Sequence, residues 1–397
     1  MKRPNQRRFE PLERRLCLTV SAVMEGGDLV VSGNADGAVA ITAVDATTYK
    51  ITDNGVDVAT VQNVTDDIRI GIDATAGANN QVTIDLAGQA VDRVMADLGN
   101  GDNSLTVQGG TVHGNLIFTG GTGNDQLQIA ADATVEKSLI ARLGDGNNSL
   151  TIDGSVSRDA VVTGRDGDDQ VTVGADASIG RSVLAVLGGG DNTVSIAGDI
   201  SRGASVVAGS GDNSVAVTSD ATIGRSLTAM LGSGDNKLSI DGTIMGNVAF
   251  HGGDGNDDVS IGATGTIGGN VNARLGGGDN SLDHEGAIAG DLRVTSANAN
   301  DQVTIGDTAT VGGQTITHLG SGNSGHDHGH SESDHARGGQ CGGDTTASSG
   351  TTDSTPGTSS APAPVVTALN SGSLAAIAAP INFIGGRLLP NVRRFGR

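Results

Sequence analysis

The sequence predicts an all-β chain wound as a right-handed parallel β-helix (β-solenoid), and three observations predict it. A Gly-Asp-Asn mark recurs between residues 99 and 305, as in GNGDNSLTV (99–107), GGGDNTVSI (188–196) and GSGDNKLSI (232–240). Its glycine falls at Gly101, Gly123, Gly146, Gly167, Gly190, Gly211, Gly234, Gly255 and Gly278, after which Ala299 takes the place. After a first step of 22 the steps alternate between 23 and 21, so the unit is a pair of unequal halves totalling 44 residues, the signature of a repeat architecture. Apolar residues also hold register with the mark, and the composition is rich in Gly (64 of 397) with five Phe, one Tyr and no Trp. Small β-branched side chains in a tightly cornered chain fit a narrow interior.

Within each half three strands follow in order. The first carries the columns Leu105, Leu127, Leu150, Val171, Val194, Val215, Leu238, Val259, Leu282, Val303 and, two residues on, Val107, Ile129, Ile152, Val173, Ile196, Val217, Ile240, Ile261, His284, Ile305. Apolar, polar, apolar is a strand with one buried face. The second strand is marked by Val112, Val135, Val156, Ile179, Ile200, Ile223, Ile244, Ile267, Ile288 and Val311, and a third follows, as in Leu227, Ala229, Leu231. In the third, large and small residues trade places between coils: Phe118 and Gly120 face Ala141 and Leu143, and Phe250 and Gly252 lie between Ala229 with Leu231 and Ala273 with Leu275. That keeps core volume nearly constant. Ten coils, with an eleventh at ANNQVTIDL (78–86), make a rod of roughly 50 Å at about 4.8 Å per coil. A propeller of 44-residue blades is the rival fold; the half-length repeat and the lack of aromatic wedges count against it.

The chain divides into a basic segment 1–19, a β-rich cap 20–77, the solenoid 78–320, a Gly/Ser/Thr/His linker 321–363 and a weakly apolar, basic tail 364–397. A solenoid needs a cap because its first coil otherwise offers open strand edges. The net charge is −21; removing the two +4 ends, residues 1–16 and 364–397, leaves −29 on the body. Such a body repels nucleic acid. No stretch approaches the ~20 apolar residues of a membrane span. Cys17 and Cys341 lie outside the repeats, so no disulfide framework or cysteine metal site is expected.

The segment FEPLERRLCL (9–18) resembles the LEPR-XLL element at the N-terminus of exported planctomycete proteins, with Cys17 where that pattern has Leu. The resemblance implies an extracellular or cell-surface location. GGTGNDQLQ (120–128) and GGDGNDDVS (252–260) fit the nonapeptide GGxGxDxUx in full, and GRDGDDQVT (164–172) misses one Gly. This resembles the RTX (hemolysin-type calcium-binding) repeats of secreted bacterial proteins, whose stacked turns bind Ca²⁺. Residues 26–86 resemble the lead-in to such repeats. The resemblance implies Asp125, Asp169, Asp257 and Asp301 as Ca²⁺ ligands, with Asp168 and Asp254 in the richest spots. The chain departs from the family in having one nonapeptide per 22 residues, with Asn148, Asn192, Asn236 and Asn280 in the intervening coils. Asn and Asp also cap corners without metal, so calcium site and structural corner both stand as readings.

Lys137, Arg158, Arg181, Arg202 and Arg225 occupy one position in five successive coils. The row could grip an acidic polysaccharide, an envelope component or a neighbouring acidic rod, by lateral or end-to-end association. As solvated corners, the same residues would balance nearby carboxylates. His326, His328, His330 and His335, with Asp327, Glu332 and Asp334, supply ligand types for a transition metal in the linker. The outward column Thr106, Thr151, Thr172, Ser195, Ser239, Ser260, Thr304 suggests an ice or mineral surface, but Gln128, Ala216 and Asp283 interrupt it. Some β-helices degrade polysaccharides, yet no acid, base or nucleophile set rises above the repeat background, and the aromatic platforms of sugar clefts are missing. The sequence therefore reads as a non-enzymatic structural or adhesive rod, with an RTX-like module that folds on Ca²⁺ as the alternative.

Overall fold

The computed structural model describes residues 20–320, apart from 36, 73–78 and 299. The chain is a parallel β-solenoid of eleven turns, with no helix among the described residues. Each turn contributes one strand to each of three sheets, A, B and C in chain order. Sheets A and B have 14 strands and sheet C has 11. The apolar columns stack in register: Leu105 on Leu127, Val107 on Ile129, Val112 on Val135. Phe118 lies on Ala141, and Phe250 between Ala229 and Ala273. Both phenylalanines are fully buried, so the large-beside-small exchange is what fills the interior.

The recurring glycine has a backbone cause. From Gly101 to Gly278 every glycine of the mark has a positive φ, between 87° and 139°. A Cβ on Gly146 would also lie 2.2 Å from the carbonyl oxygen of Gly123 in the coil before. Conformation and close approach of successive coils both demand glycine there.

At the N-terminal end, β1 (Val20–Glu25) pairs antiparallel with β2 (Asp28–Gly33). β3 (Ala38–Ala43), β4 (Tyr49–Asp53) and β5 (Val56–Val61) form an antiparallel meander. β2 continues in parallel to β6 (Ile68–Ile72), and β3 to β7 (Gln81–Asp85). These antiparallel strands occupy the edges that an open first coil would leave unpaired. An ionic seam ties them to the coils: Arg93 bonds both oxygens of buried Asp67 at 3.0 and 2.8 Å, and Arg69 reaches Asp28 at 2.8 Å. At the other end the packing thins, and Ile305 is 39% exposed. His284, in an apolar column, is fully buried; its Nε2 lies 3.2 Å from the Thr310 carbonyl and its Nδ1 has no partner. Burial holds its pKa below the usual histidine value.

Candidate functional site at the Asx corner

The turn from sheet A to sheet B carries two adjacent Asx columns, and the fold sends them in opposite directions. The inner column is Asn80, Asn103, Asp125, Asn148, Asp169, Asn192, Asn213, Asn236, Asp257, Asn280 and Asp301, all buried. Each Oδ1 accepts the backbone N–H of the inner residue one coil earlier: Asn103 from Asn80 at 3.1 Å, Asp125 from Asn103 at 3.0 Å, and so on to Asp301 from Asn280 at 2.6 Å. Where the earlier residue is Asn, its Nδ2 donates to the same oxygen, as Asn148 does to Asp169 at 2.9 Å. The amides also reach turn carbonyls, as in Asn148 to Gly146 at 2.7 Å.

The outer column runs the other way. Asp102, Asn124, Asn147, Asp168, Asp191, Asp212, Asp235 and Asn256 are exposed, and each Oδ1 accepts the backbone N–H one coil later. In the run from Asp168 to Asn256 these bonds measure 2.7 Å. The two ladders sit side by side with opposed polarity, and both pair the backbone donors of the turns.

The residues expected to bind calcium therefore part company. Asp125, Asp169, Asp257 and Asp301 face inward, each with Oδ1 committed to the ladder. Asp168 belongs to the outer ladder, and Asp254 is exposed. The second oxygen of Asp125 accepts from Gly121 at 3.1 Å and that of Asp257 from Gly253 at 3.3 Å. Arg165 stands where those glycines stand, and the second oxygens of Asp169 and Asp301 have no partner. Burial raises the pKa of Asp125, Asp169 and Asp257, that of Asp169 to about 6.

Room for three of these oxygens comes from glycine; Asp301, five residues after Ser296, is the exception. Five residues before Asp125, Asp169 and Asp257 stand Gly120, Gly164 and Gly252, and a Cβ on each would fall 2.3, 1.8 and 1.8 Å from the carboxylate Oδ2. Before Asn103, Asn148, Asn192, Asn236 and Asn280 the same place holds Leu98, Leu143, Leu187, Leu231 and Leu275. Sequence reasoning missed this coupling, as it missed which column faces inward. One signal was present: two aspartates never follow one another in the inner column, since neither could donate to the other.

At the turn from sheet C to sheet A, Lys137, Arg158, Arg181, Arg202 and Arg225 do stack. Each backbone N–H from Arg158 onward bonds the carbonyl of the cation before it, at 2.7 to 3.1 Å. Arg181 is half-buried and reaches Asp159 at 3.9 Å; the other four are exposed. An open trough of about 400 Å³ lies on sheet A over Gly121, Arg142, Asp145 and Arg165, with Arg165 3.9 Å from Asp145. The histidine tract, with His326, His328, His330 and His335, and the FEPLERRLCL segment lie outside the described residues.

No protein-family model and no curated protein matches this chain. Among solved structures, it is similar to a hyperactive, Ca²⁺-dependent, β-helical antifreeze protein from an Antarctic bacterium. The identity is 20%, the match covers 70% of this chain and 92% of that one, and the TM-score is 0.36.

Calcium takes six to eight oxygen ligands, usually several of them carboxylate. Among the described residues no three His, Cys, Asp or Glu side chains converge. The inward aspartates are never in neighbouring coils, and each spends one oxygen on the ladder. As arranged, the donor set does not fit a dedicated calcium cage.

Proposed function

We propose that this protein is a non-catalytic, exported rod of the cell surface or extracellular space, whose solenoid stands without a metal. The inner ladder carries this reading: its ten links from Asn80 to Asp301 pair the backbone N–H donors of the buried turn with the chain's own side chains. A turn so paired does not need an ion to order it. The polar groups also recur coil after coil instead of converging in one place, which suits a scaffold more than a reaction centre. The export assignment draws on the resemblance of residues 9–18 alone.

The test is thermal unfolding of the full chain, followed by circular dichroism, in excess EDTA and in millimolar Ca²⁺. A β-rich signal in EDTA with the same midpoint in Ca²⁺ is expected. A chain disordered in EDTA that folds on adding Ca²⁺ would replace this reading with an RTX-like module whose folding is coupled to the ion. Turnover of a soluble polysaccharide would overturn the non-catalytic assignment.

A further inference from the structure

The cation row and the outer acidic row switch on together. Arg158, Arg181, Arg202 and Arg225 are each followed ten residues later by Asp168, Asp191, Asp212 and Asp235. Where the cation gives way to Gly246 the aspartate gives way to Asn256, and Gly114 is matched by Asn124. Asp92 with Asp102, Lys137 with Asn147 and Gly269 with Asp279 are the exceptions nearby. In each of the four coils a strand of sheet A runs between the two charges: Ala160–Gly164, Val183–Gly188, Ala204–Ala208 and Leu227–Met230.

The outward residues of those strands are Val161, Thr163, Leu184, Val186, Ser205, Val207, Thr228 and Met230, with no charge among them. Leu184 and Val186 are 38% and 37% exposed. The coil before brings Arg142 onto this face, and the coils after bring His251, Arg274 and Arg293. Sheet A thus presents a strip of uncharged, largely aliphatic strand residues, edged by cations on one side and carboxylates on the other, over the same four coils; in the first of them exposed Arg165 and Asp166 stand between the strip and Asp168.

Such a face is complementary to itself under one operation. A two-fold axis parallel to the rod turns the cation edge of one copy onto the acidic edge of the other and keeps each coil level with its equivalent. A two-fold axis along the strands would instead set cations on cations. We infer that this face pairs two copies of the chain, rods parallel and in register, with Arg158, Arg181, Arg202 and Arg225 of each against Asp168, Asp191, Asp212 and Asp235 of the other. From Val161 to Met230 the face spans four coils, about 19 Å, by about 20 Å of strand. That buries on the order of 400 Å² per copy, below the standard size of specific interfaces, so the dimer is weak. The −29 body opposes pairing at long range, but at physiological ionic strength the Debye length is ~8 Å and touching rows are screened least. The inference needs only a folded solenoid, which circular dichroism reports independently.

The experiment is sedimentation equilibrium of the full chain at ~0.15 M salt, from about 1 µM to about 1 mM. The weight-average mass should rise from 39.4 kDa toward twice that value. Two variants separate matched rows from net charge: one with Arg158, Arg181, Arg202 and Arg225 changed to Gln, the other with Asp168, Asp191, Asp212 and Asp235 changed to Asn. Asn already serves the outer ladder at Asn124 and Asn147, so that fold survives. The first variant is more acidic and the second less, yet both should associate at least about tenfold more weakly, from eight exposed ion pairs lost per dimer. Opposite effects of the two variants would mean that net charge alone governs association and would overturn the face. So would a wild-type chain that stays monomeric throughout. Binding of a soluble polyuronate by that monomer, lost in the glutamine variant, would reassign the row to an acidic glycan. Orientation is read by thiol cross-linking in a Cys17→Ser, Cys341→Ser background. Arg181→Cys should link to Asp191→Cys of another copy; linkage of Arg181→Cys to itself would overturn the parallel arrangement.

Discussion

Asp169→Asn should stabilise the protein at neutral pH. Asp169 is 1% exposed, its Oδ2 has no partner, and burial raises its pKa from 3.8 to about 6. A carboxyl whose folded pKa lies above its unfolded one favours folding fully below about pH 4 and loses that contribution as pH rises through about 6. The displacement of about two pK units corresponds to ~3 kcal/mol at pH 7.5, as an upper figure. Asparagine keeps the Oδ1 that accepts from the Asn148 backbone and amide at 3.0 and 2.9 Å. Its new amide can turn to the Gly167 carbonyl, as Asn148 and Asn192 turn to Gly146 and Gly190. Urea unfolding at pH 4.5 and 7.5 checks this. The variant should gain about 1–3 kcal/mol at pH 7.5 and about a third as much at pH 4.5. Comparing it with wild type cancels the parallel contributions of Asp125 and Asp257, which burial shifts the same way. A variant less stable than wild type at pH 7.5 would refute the reasoning, because the carboxylate would then be held charged by a partner such as a cation in the turn.

Gly164→Ala should cost at least ~2 kcal/mol, since its Cβ would fall 1.8 Å from Asp169 Oδ2. In the Asp169→Asn background the cost should shrink, because Ala208 with Asn213 is that pair already in the chain; a double-mutant cycle in urea reads the coupling. Asn213→Ala removes the acceptor of the Asn192 backbone and amide, both at about 3 Å, and should cost ~2–4 kcal/mol in the same assay. His284, its pKa lowered by burial, favours folding above about pH 6.5 and loses that contribution as pH falls. His284→Leu should therefore flatten the acid side of the stability profile between pH 7 and 5, and a profile unchanged by the substitution would show that the ring charges freely in the fold.

The coil was legible because its causes are local and repeated. Leu105, Val107 and Val112 with their counterparts state period, register and face, and the mark glycines state the corner. Direction was not legible at that corner. Asn124 and Asp125 are neighbours with nearly the same chemistry, and only the backbone of the turn decides that one looks out and the other in. The RTX pattern singles out Asp125, Asp169 and Asp257, but the consensus records a residue type and not the bonds it makes in a coil of different length. Strand character was readable across the cap, 20–77, while its antiparallel pairing was not, because partners such as Val39 and Asp53 carry no repeat to align.

The exchange of Phe118 with Ala141, and of Gly120 with Leu143, has a consequence for how such a rod can change length. Excising 44 residues, for instance 191–234, would rejoin Gly190 to Asp235 and leave Val162 and Gly164 two coils from Phe250 and Gly252, with Ala185 and Leu187 between. Excising only 191–211 would bring Ala185 and Leu187 directly against Ala229 and Leu231, crowding leucine on leucine and opening a void at the alanines. Growth and shrinkage of the gene are thus tolerated in steps of two coils, about 10 Å of rod at a time.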